Sequence, residues 1–110
     1  MVLEMLQSES YPHMVDLTVI LTANDLANLP ELRTLLATQV QMSRAEPGCI
    51  RFEAFESQTV PGTFILVERW ESQAALDEHR KATACMTVYF PKVIPLVSRV
   101  PHVCSVLPGT

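Results

Sequence analysis

Glycine, aromatic residues and positive charge are all scarce in this sequence of 110 residues. Its three glycines leave no glycine-rich loop of the kind that cradles phosphate groups. Aromatic residues make up 6% of the chain and the formal net charge is −4, so neither base stacking nor attraction to anionic surfaces is supported. Nucleic acids, anionic membranes and nucleotide-phosphate chemistry are therefore excluded as the basis of function.

Cysteine occurs in an odd number and at wide spacing. Because Cys49, Cys85 and Cys104 form no Cys-x-x-Cys pair, we expect reduced, buried thiols and not a disulfide framework. No apolar run approaches the ~20 residues that span a bilayer, and the first ten residues lack the pattern of a secretory signal. We therefore expect a soluble, cytoplasmic protein with no membrane partner.

The apolar content is sufficient for one domain. Hydrophobic residues make up 48% of the chain, enough to bury a core, whereas the length leaves no room for a second one. Residues 1–12 lack clean periodicity, so we interpret them as an N-terminal arm. The domain is predicted over residues 13–107 and a short tail over residues 108–110.

Strand and helix patterns follow one another along this domain. The apolar-polar alternation of residues 14–22 predicts a strand, and Asn28 is the predicted N-cap of a helix that ends at Glu46-Pro47-Gly48. Ser72 is the predicted N-cap of a second helix, and residues 82–96 are helical in patches. The other strands are predicted over residues 49–56, 63–70 and 97–107, with Pro101 at a sheet edge or a bulge.

The order β-α-β-β-α-β is that of the α+β, ferredoxin-like fold, in which both helices pack on one face of a four-stranded antiparallel sheet. Nothing in the chain is predicted to cover the opposite face of the sheet. We therefore expect a homodimer that packs sheet to sheet.

Neither a metal site nor a nucleophilic triad is visible. His13, His79 and His102 fall in different elements and have no His or Cys three or four residues away. The sequence also contains no Gly-x-Ser-x-Gly motif. We therefore predict no metal.

Candidate functional side chains converge at one corner of the predicted fold. Glu68 and Trp70 share a strand face, and His79 is directed inward from the following helix. His79 could act as a base near neutral pH, and Tyr89 could donate a hydrogen bond. The helical stretch that follows would add three pocket residues, Met86, Tyr89 and Phe90.

Each of these side chains also has a purely structural interpretation. An inward histidine is often a hydrogen-bonded core residue, and a tryptophan at a strand end often plugs the core. Glu68 could simply pair with a neighbouring strand. The residues alone predict a dimeric ferredoxin-like domain with a small apolar pocket.

Three motifs, in this order, resemble the antibiotic biosynthesis monooxygenase family. They are Glu46-Pro47-Gly48-Cys49, then Glu68-Arg69-Trp70 at a strand end, and then the helical His79. The resemblance covers roughly residues 14–107 and implies a dimeric ferredoxin-like barrel. It also implies oxygenation of quinols or anthrones without metal or flavin, although other branches degrade haem or act on small sugar-derived signal molecules.

The sequence departs from the family pattern in two ways. Many members carry a second histidine about five residues beyond the first, but residues 82–86 here contain none. The haem-degrading branch uses an asparagine on its first strand, and residues 14–22 contain no asparagine. Haem degradation is therefore disfavoured.

The resemblance favours a cofactor-independent monooxygenase that oxidises a small aromatic substrate with O2. His79 would be the base, Trp70 and Phe90 would hold the flat ring, and Tyr89 could bond to a quinone oxygen. Two alternatives stay open: a non-oxygenase, isomerase-like enzyme of small metabolites, and a catalytically silent binding or stress-response module. The complete set of predicted substrate-binding residues is Glu68, Trp70, Met86, Tyr89 and Phe90.

Overall fold

An antiparallel sheet of four strands is the framework of the computed structural model, which describes residues 14–109. The strands are β1 (Val15–Ala23), β2 (Cys49–Glu56), β3 (Thr63–Trp70) and β4 (Val97–Cys104). They lie in the order β2-β3-β1-β4, with every neighbouring pair antiparallel. The predicted ferredoxin-like topology is confirmed.

Alternation of side chains gives the sheet one buried face. Leu17 and Leu21 of β1 are buried, and the strand register pairs Leu17 with Glu68 and Val15 with Trp70. Residues that pair across antiparallel strands project to the same face. Glu68 and Trp70 therefore lie on the buried side, beneath the helices.

Two α-helices and a π-helical segment cover this face. They are α1 (Leu29–Arg44), α2 (Gln73–Lys81) and the π-helical segment (Ala84–Val93). Ser72 caps α2 as predicted, because its hydroxyl accepts a hydrogen bond of 3.1 Å from the backbone N–H of Ala75.

The start of α1 differs in detail from the prediction. Asn28 occupies the N-cap position, but its side chain makes no capping hydrogen bond. Instead, the Asp25 carboxylate accepts a hydrogen bond of 2.9 Å from the N–H of Ala27 and caps a preceding 3₁₀ turn, Leu26–Asn28. Pro30 lies in the first turn of α1, where a missing N–H costs little.

The π-helical segment corrects the predicted helical stripe. The α-helical spacing within residues 82–96 predicts that Met86, Tyr89, Phe90 and Val93 share one face. Tyr89 and Val93 are buried, but Met86 is 56% exposed and Phe90 45% exposed. The reason is a wider turn: Pro91 has no N–H to bond four residues back, and the N–H of Ile94 bonds to the carbonyl of Tyr89, five residues back.

The last strand is shorter than predicted. It ends at Cys104, which pairs with Asp16 of β1, and not at residue 107. Pro101 lies on this edge strand, as the sequence predicts. The predicted arm, residues 1–12, lies outside the described residues.

The cysteines are less uniform than expected. Cys85 is buried, whereas Cys49 is half-buried and Cys104 is exposed. Within residues 14–109, no helix is both long and apolar enough to cross a bilayer.

The face of the sheet that the helices leave open carries an apolar row across all four strands. The strand register places Phe55 beside Ile65, Ile65 beside Ile20, and Ile20 beside Val100. Phe55 and Val100 are both about half exposed. Around this row lie charged side chains, among them the Asp16–Arg69 ion pair.

Candidate functional site

His79 lies at the centre of the buried corner between α2, β3 and the π-helical segment. It projects inward from the last turn of α2 on the same face as Leu76, as predicted, and is only 6% exposed. A buried imidazole must have its nitrogen atoms hydrogen-bonded to be tolerated. Both ring nitrogens of His79 have polar neighbours.

Glu46 provides the neighbour of the first nitrogen. Its Oε1 lies 2.6 Å from His79 Nδ1, a short distance typical of a charge-assisted hydrogen bond. Glu46 lies in the loop between α1 and β2, and its side chain is nearly buried.

Gly48 allows this loop to approach α2 closely. Its φ of +81° is in the left-handed region, and a Cβ at this position would lie 2.6 Å from the Cβ of Ala75. The loop is also tied to the start of α2 by a hydrogen bond of 2.8 Å from the N–H of Glu71 to the carbonyl of Gly48. Only glycine satisfies both requirements, so Gly48 brings Glu46 within reach of His79.

Cys85 and Glu68 face the second nitrogen. Cys85 Sγ is 3.3 Å from His79 Nε2, whereas Glu68 Oε1 is 4.0 Å away, beyond hydrogen-bonding distance. Burial, together with the nearby carboxylates Glu46 and Glu68, raises the pKa of the Cys85 thiol to about 12. Cys85 is therefore a neutral thiol near neutral pH.

Trp70 holds Glu68 and stacks on His79. The indole Nε1–H donates a hydrogen bond of 3.0 Å to Glu68 Oε1, and the indole and imidazole centroids lie 4.4 Å apart at 30°. Phe52 closes another side, with its ring 5.6 Å from the imidazole. Trp70 is fully buried, and these contacts hold the plane of the imidazole.

Burial also changes the acidity of Glu68, which is 5% exposed. Loss of solvent raises the pKa of this carboxyl group, although the hydrogen bond from Trp70 and the nearby His79 and Arg99 act in the opposite direction. Glu68 therefore holds a proton more readily than an ordinary glutamate.

Tyr89 extends the cluster towards β4. Its hydroxyl oxygen accepts a hydrogen bond of 2.8 Å from Arg99 Nε, which leaves the phenolic proton for donation. Burial raises the pKa of Tyr89, against the effect of Arg99. Of the other two predicted pocket residues, Phe90 packs against the Tyr89 ring from the outside, and Met86 is mainly exposed.

The structure therefore brings together His79, Glu68, Trp70 and Tyr89 but places Met86 and Phe90 at the rim. Sequence reasoning missed three members of the cluster, which are Glu46, Cys85 and Arg99. Glu46 belongs to a conspicuous Glu-Pro-Gly motif, but nothing in the spacing indicates that it reaches a histidine 33 residues later. A buried imidazole between two carboxyl groups and a thiol can accept, hold and return a proton.

A separate groove of about 390 Å³ lies between α1 and β2. Its lining includes Leu36, Val40 and Phe55 together with Arg33 and Glu56, which form an ion pair. It contains none of the predicted site residues.

Comparison with known proteins agrees with the resemblance seen in the sequence. The family model described as antibiotic biosynthesis monooxygenase matches residues 27–88. The Mycobacterium tuberculosis protein named "Putative monooxygenase Rv0793" is 45% identical over 49 residues, which are 44% of this chain and 48% of that protein. The chain spans between 33% and 48% of the length of the curated relatives that it matches.

Solved structures show the same fold. The structure of Rv0793 from Mycobacterium tuberculosis superposes with a TM-score of 0.74 at 28% identity, over 84% of this chain and 95% of the other. A crystal structure of an antibiotic biosynthesis monooxygenase superposes with a TM-score of 0.78 at 21% identity, over 86% and 99% of the two chains.

The raised pKa of Glu68 predicts a pH-dependent contribution to stability. The folded chain retains this proton at pH values where the unfolded chain has released it. The contribution of Glu68 to the free energy of unfolding is therefore fully present below the pKa that its carboxyl group has in the unfolded chain. It is lost as the pH rises through the pKa of the same group in the folded chain. We expect the stability of the wild type relative to Glu68→Gln to fall as the pH rises above the ordinary glutamate pKa of about 4 in urea-unfolding measurements.

Glu56→Gln is the matched control, because Arg33 lowers the pKa of Glu56. The wild type should gain stability relative to this variant only as the pH rises towards the ordinary glutamate pKa of about 4, and the difference should stay constant above it. If the stability difference from the wild type had the same pH dependence for Glu68→Gln and Glu56→Gln, the raised pKa of Glu68 would be contradicted.

Proposed function

The chain belongs to the antibiotic biosynthesis monooxygenase family, and from that premise we propose that it oxidises a small aromatic or polyphenolic substrate with O2 without a cofactor. The observation that carries the proposal is the buried His79, which is stacked on Trp70 and bonded to Glu46. This arrangement places one proton acceptor against a flat aromatic surface, away from water.

Oxygen activation is the chemical reason for such a base. Triplet O2 reacts with a closed-shell molecule only after one-electron transfer, so the substrate must first become a better reductant. Removal of a proton from a phenol or an anthrone by His79 achieves this, and burial favours the reaction by excluding water. For an anthrone, the methylene loses two hydrogens, one oxygen atom becomes the new carbonyl, and the other leaves as water.

The remaining residues of the cluster have supporting roles in this proposal. Trp70 binds the ring of the substrate, and the phenolic proton of Tyr89 bonds to a substrate carbonyl. Glu68 takes up or returns a proton beside His79, since its raised pKa lets it hold one. Met86 and Phe90 contact the substrate at the rim, where both are exposed.

Substrate entry requires the corner to open. With His79 only 6% exposed, a planar molecule can reach the imidazole only if neighbouring side chains move. The π-helical segment is the element to move, because it carries Cys85 over Nε2 and Phe90 at the rim.

One observation favours an isomerase-like reaction as the second candidate. The groups around His79 are more polar than the apolar pocket that the sequence predicts, because Glu46, Glu68 and Cys85 all face the imidazole. Such a site suits proton transfer on a polar metabolite. The third alternative, a catalytically silent binding or stress-response module, would be favoured by a pocket filled with Met86 and Phe90, but both side chains are about half exposed.

We also propose a homodimer that forms through the open face of the sheet. The apolar row Phe55–Ile65–Ile20–Val100 runs across this face and supports burial against a second copy. The charged side chains beside the row, including Asp16 and Arg69, fit the polar rim of an interface.

The enzymatic proposal predicts oxygen uptake that depends on His79. With a panel of quinols, anthrones and catechols, we expect the wild type to consume O2 above the rate of autoxidation. The His79→Ala variant should lose about 10²- to 10⁴-fold of that rate, as expected for a missing general base. A Clark-type electrode measures both rates.

His102→Ala is the control for uptake, since His102 lies on the opposite, open face of the sheet. It should retain wild-type activity. Oxygen uptake at the wild-type rate by a folded His79→Ala variant would show that His79 is not the base. Absence of uptake by the wild type with every compound would favour the isomerase-like reaction.

The dimer predicts a mass change when charge is placed in the apolar row. Ile65→Glu should yield a monomer, because its carboxylate would have to be desolvated between Ile20 and Phe55 of the interface. Val60→Glu, an exposed position in the turn before β3, should leave the dimer intact. Light scattering after size-exclusion chromatography gives the masses, and a dimeric Ile65→Glu variant would contradict this interface.

A further inference from the structure

The two nitrogens of His79 have neighbours of opposite hydrogen-bonding character. At Nδ1 the neighbour is the Glu46 carboxylate, which in its ionised form can only accept. At Nε2 it is the Cys85 thiol, which can donate. Such a pair of neighbours suits only one of the two neutral forms of the imidazole.

We propose that Glu46 is a positioning residue that holds His79 as the Nδ1–H tautomer, so that Nε2 is the nitrogen that accepts the proton of the substrate. The inference rests on the proposed function for the role of Nε2. The tautomer itself depends only on the geometry around the ring. Nothing in the sequence motif or in the comparisons gives Glu46 this role.

The Glu46 carboxylate is held in place by its loop. The N–H of Glu46 bonds to the carbonyl of Ser43 at 3.1 Å, and the N–H of Cys49 bonds to the carbonyl of Glu46 at 3.2 Å. Both backbone groups of Glu46 are therefore fixed, and its nearly buried side chain has little freedom to leave Nδ1.

The neighbours of Nε2 support the same tautomer. Because the raised pKa of Cys85 keeps its thiol protonated, the S–H can donate to an unprotonated Nε2. Glu68 Oε1 forms no hydrogen bond with Nε2, since it is 4.0 Å away and accepts from Trp70.

The arrangement also indicates how substrate binds. The Cys85 thiol occupies the position from which a hydroxyl group or an acidic C–H of the substrate would donate to Nε2. Cys85 must therefore be displaced when the substrate enters, and it protects the lone pair of Nε2 in the resting protein. Glu46 keeps Nδ1–H bonded throughout and stabilises the imidazolium that forms when Nε2 takes the proton.

Nitrogen NMR tests the tautomer without any substrate. In a His13→Asn/His102→Asn background, His79 is the one remaining imidazole, and two-bond ¹H–¹⁵N correlation spectra distinguish its two neutral tautomers. We expect the Nδ1–H form to predominate in the signals of the neutral imidazole. The Glu46→Gln variant should show a mixture of tautomers, because an amide can present either a donor or an acceptor to Nδ1.

Two control variants isolate the role of Glu46. Glu71→Gln removes a carboxylate that packs on the same loop, and Cys85→Ala removes the thiol; both should keep the Nδ1–H form. A predominant Nε2–H form in the wild-type background, or an unchanged tautomer in Glu46→Gln, would overturn the proposal.

Activity supplies the second readout. With any compound that supports oxygen uptake, Glu46→Gln should lower kcat by about 10²- to 10⁴-fold and leave KM nearly unchanged, as expected when a base is held in the wrong tautomer. An unchanged kcat would overturn the positioning role. If no compound is oxidised, the monooxygenase proposal fails, while the NMR spectra still decide the tautomer.

Discussion

The contact of 2.6 Å between Glu46 and His79 is the interaction on which the rest of the corner depends. An imidazole buried to this degree is costly unless its nitrogens are bonded, and Glu46 satisfies one of them from a distant part of the chain. The loop that carries Glu46 must approach α2, which requires Gly48 in a left-handed conformation against Ala75. Once His79 is held in this way, Trp70 can stack on it and the π-helical segment can place Cys85 at the other nitrogen. A loop, a helix, a strand end and a π-helical segment thus meet at one side chain.

This cluster also bears on how the chain differs from the relatives that it resembles. In the stretch where many members of the family carry a second histidine, this chain has Cys85, and the thiol lies against His79 Nε2. A neutral thiol is a weaker proton acceptor than an imidazole, and burial makes its ionisation harder still. In the reaction that we propose, proton transfer therefore falls to His79, with Glu68 as the adjacent carboxyl group. The buried polar groups make the corner suited to proton abstraction, which is the step that both candidate reactions share.

Local patterns predicted most of the fold, because they depend on neighbours in the sequence. The bounds of β2 and β3 match the prediction, the alternation in β1 identified its buried face, and Ser72 caps α2 as expected. The inward direction of His79 also follows from helical spacing. What could not be predicted depends on partners far along the chain, as with Glu46, which lies 33 residues before His79. The outward positions of Met86 and Phe90 follow from π-helical geometry, which an interpretation based on α-helical periodicity cannot anticipate.

Deprotonation of a bound aromatic substrate by His79 can be observed directly by absorbance under anaerobic conditions. Without O2 the reaction stops after proton transfer, and the anion of an anthrone absorbs at longer wavelength than the neutral molecule. Titration of an anthrone with the protein near pH 7, about the middle of the physiological range, should produce the absorption band of the anion in proportion to bound ligand. The His79→Ala variant should bind the compound without this band. Binding by the wild type with the spectrum of the neutral anthrone would contradict the account.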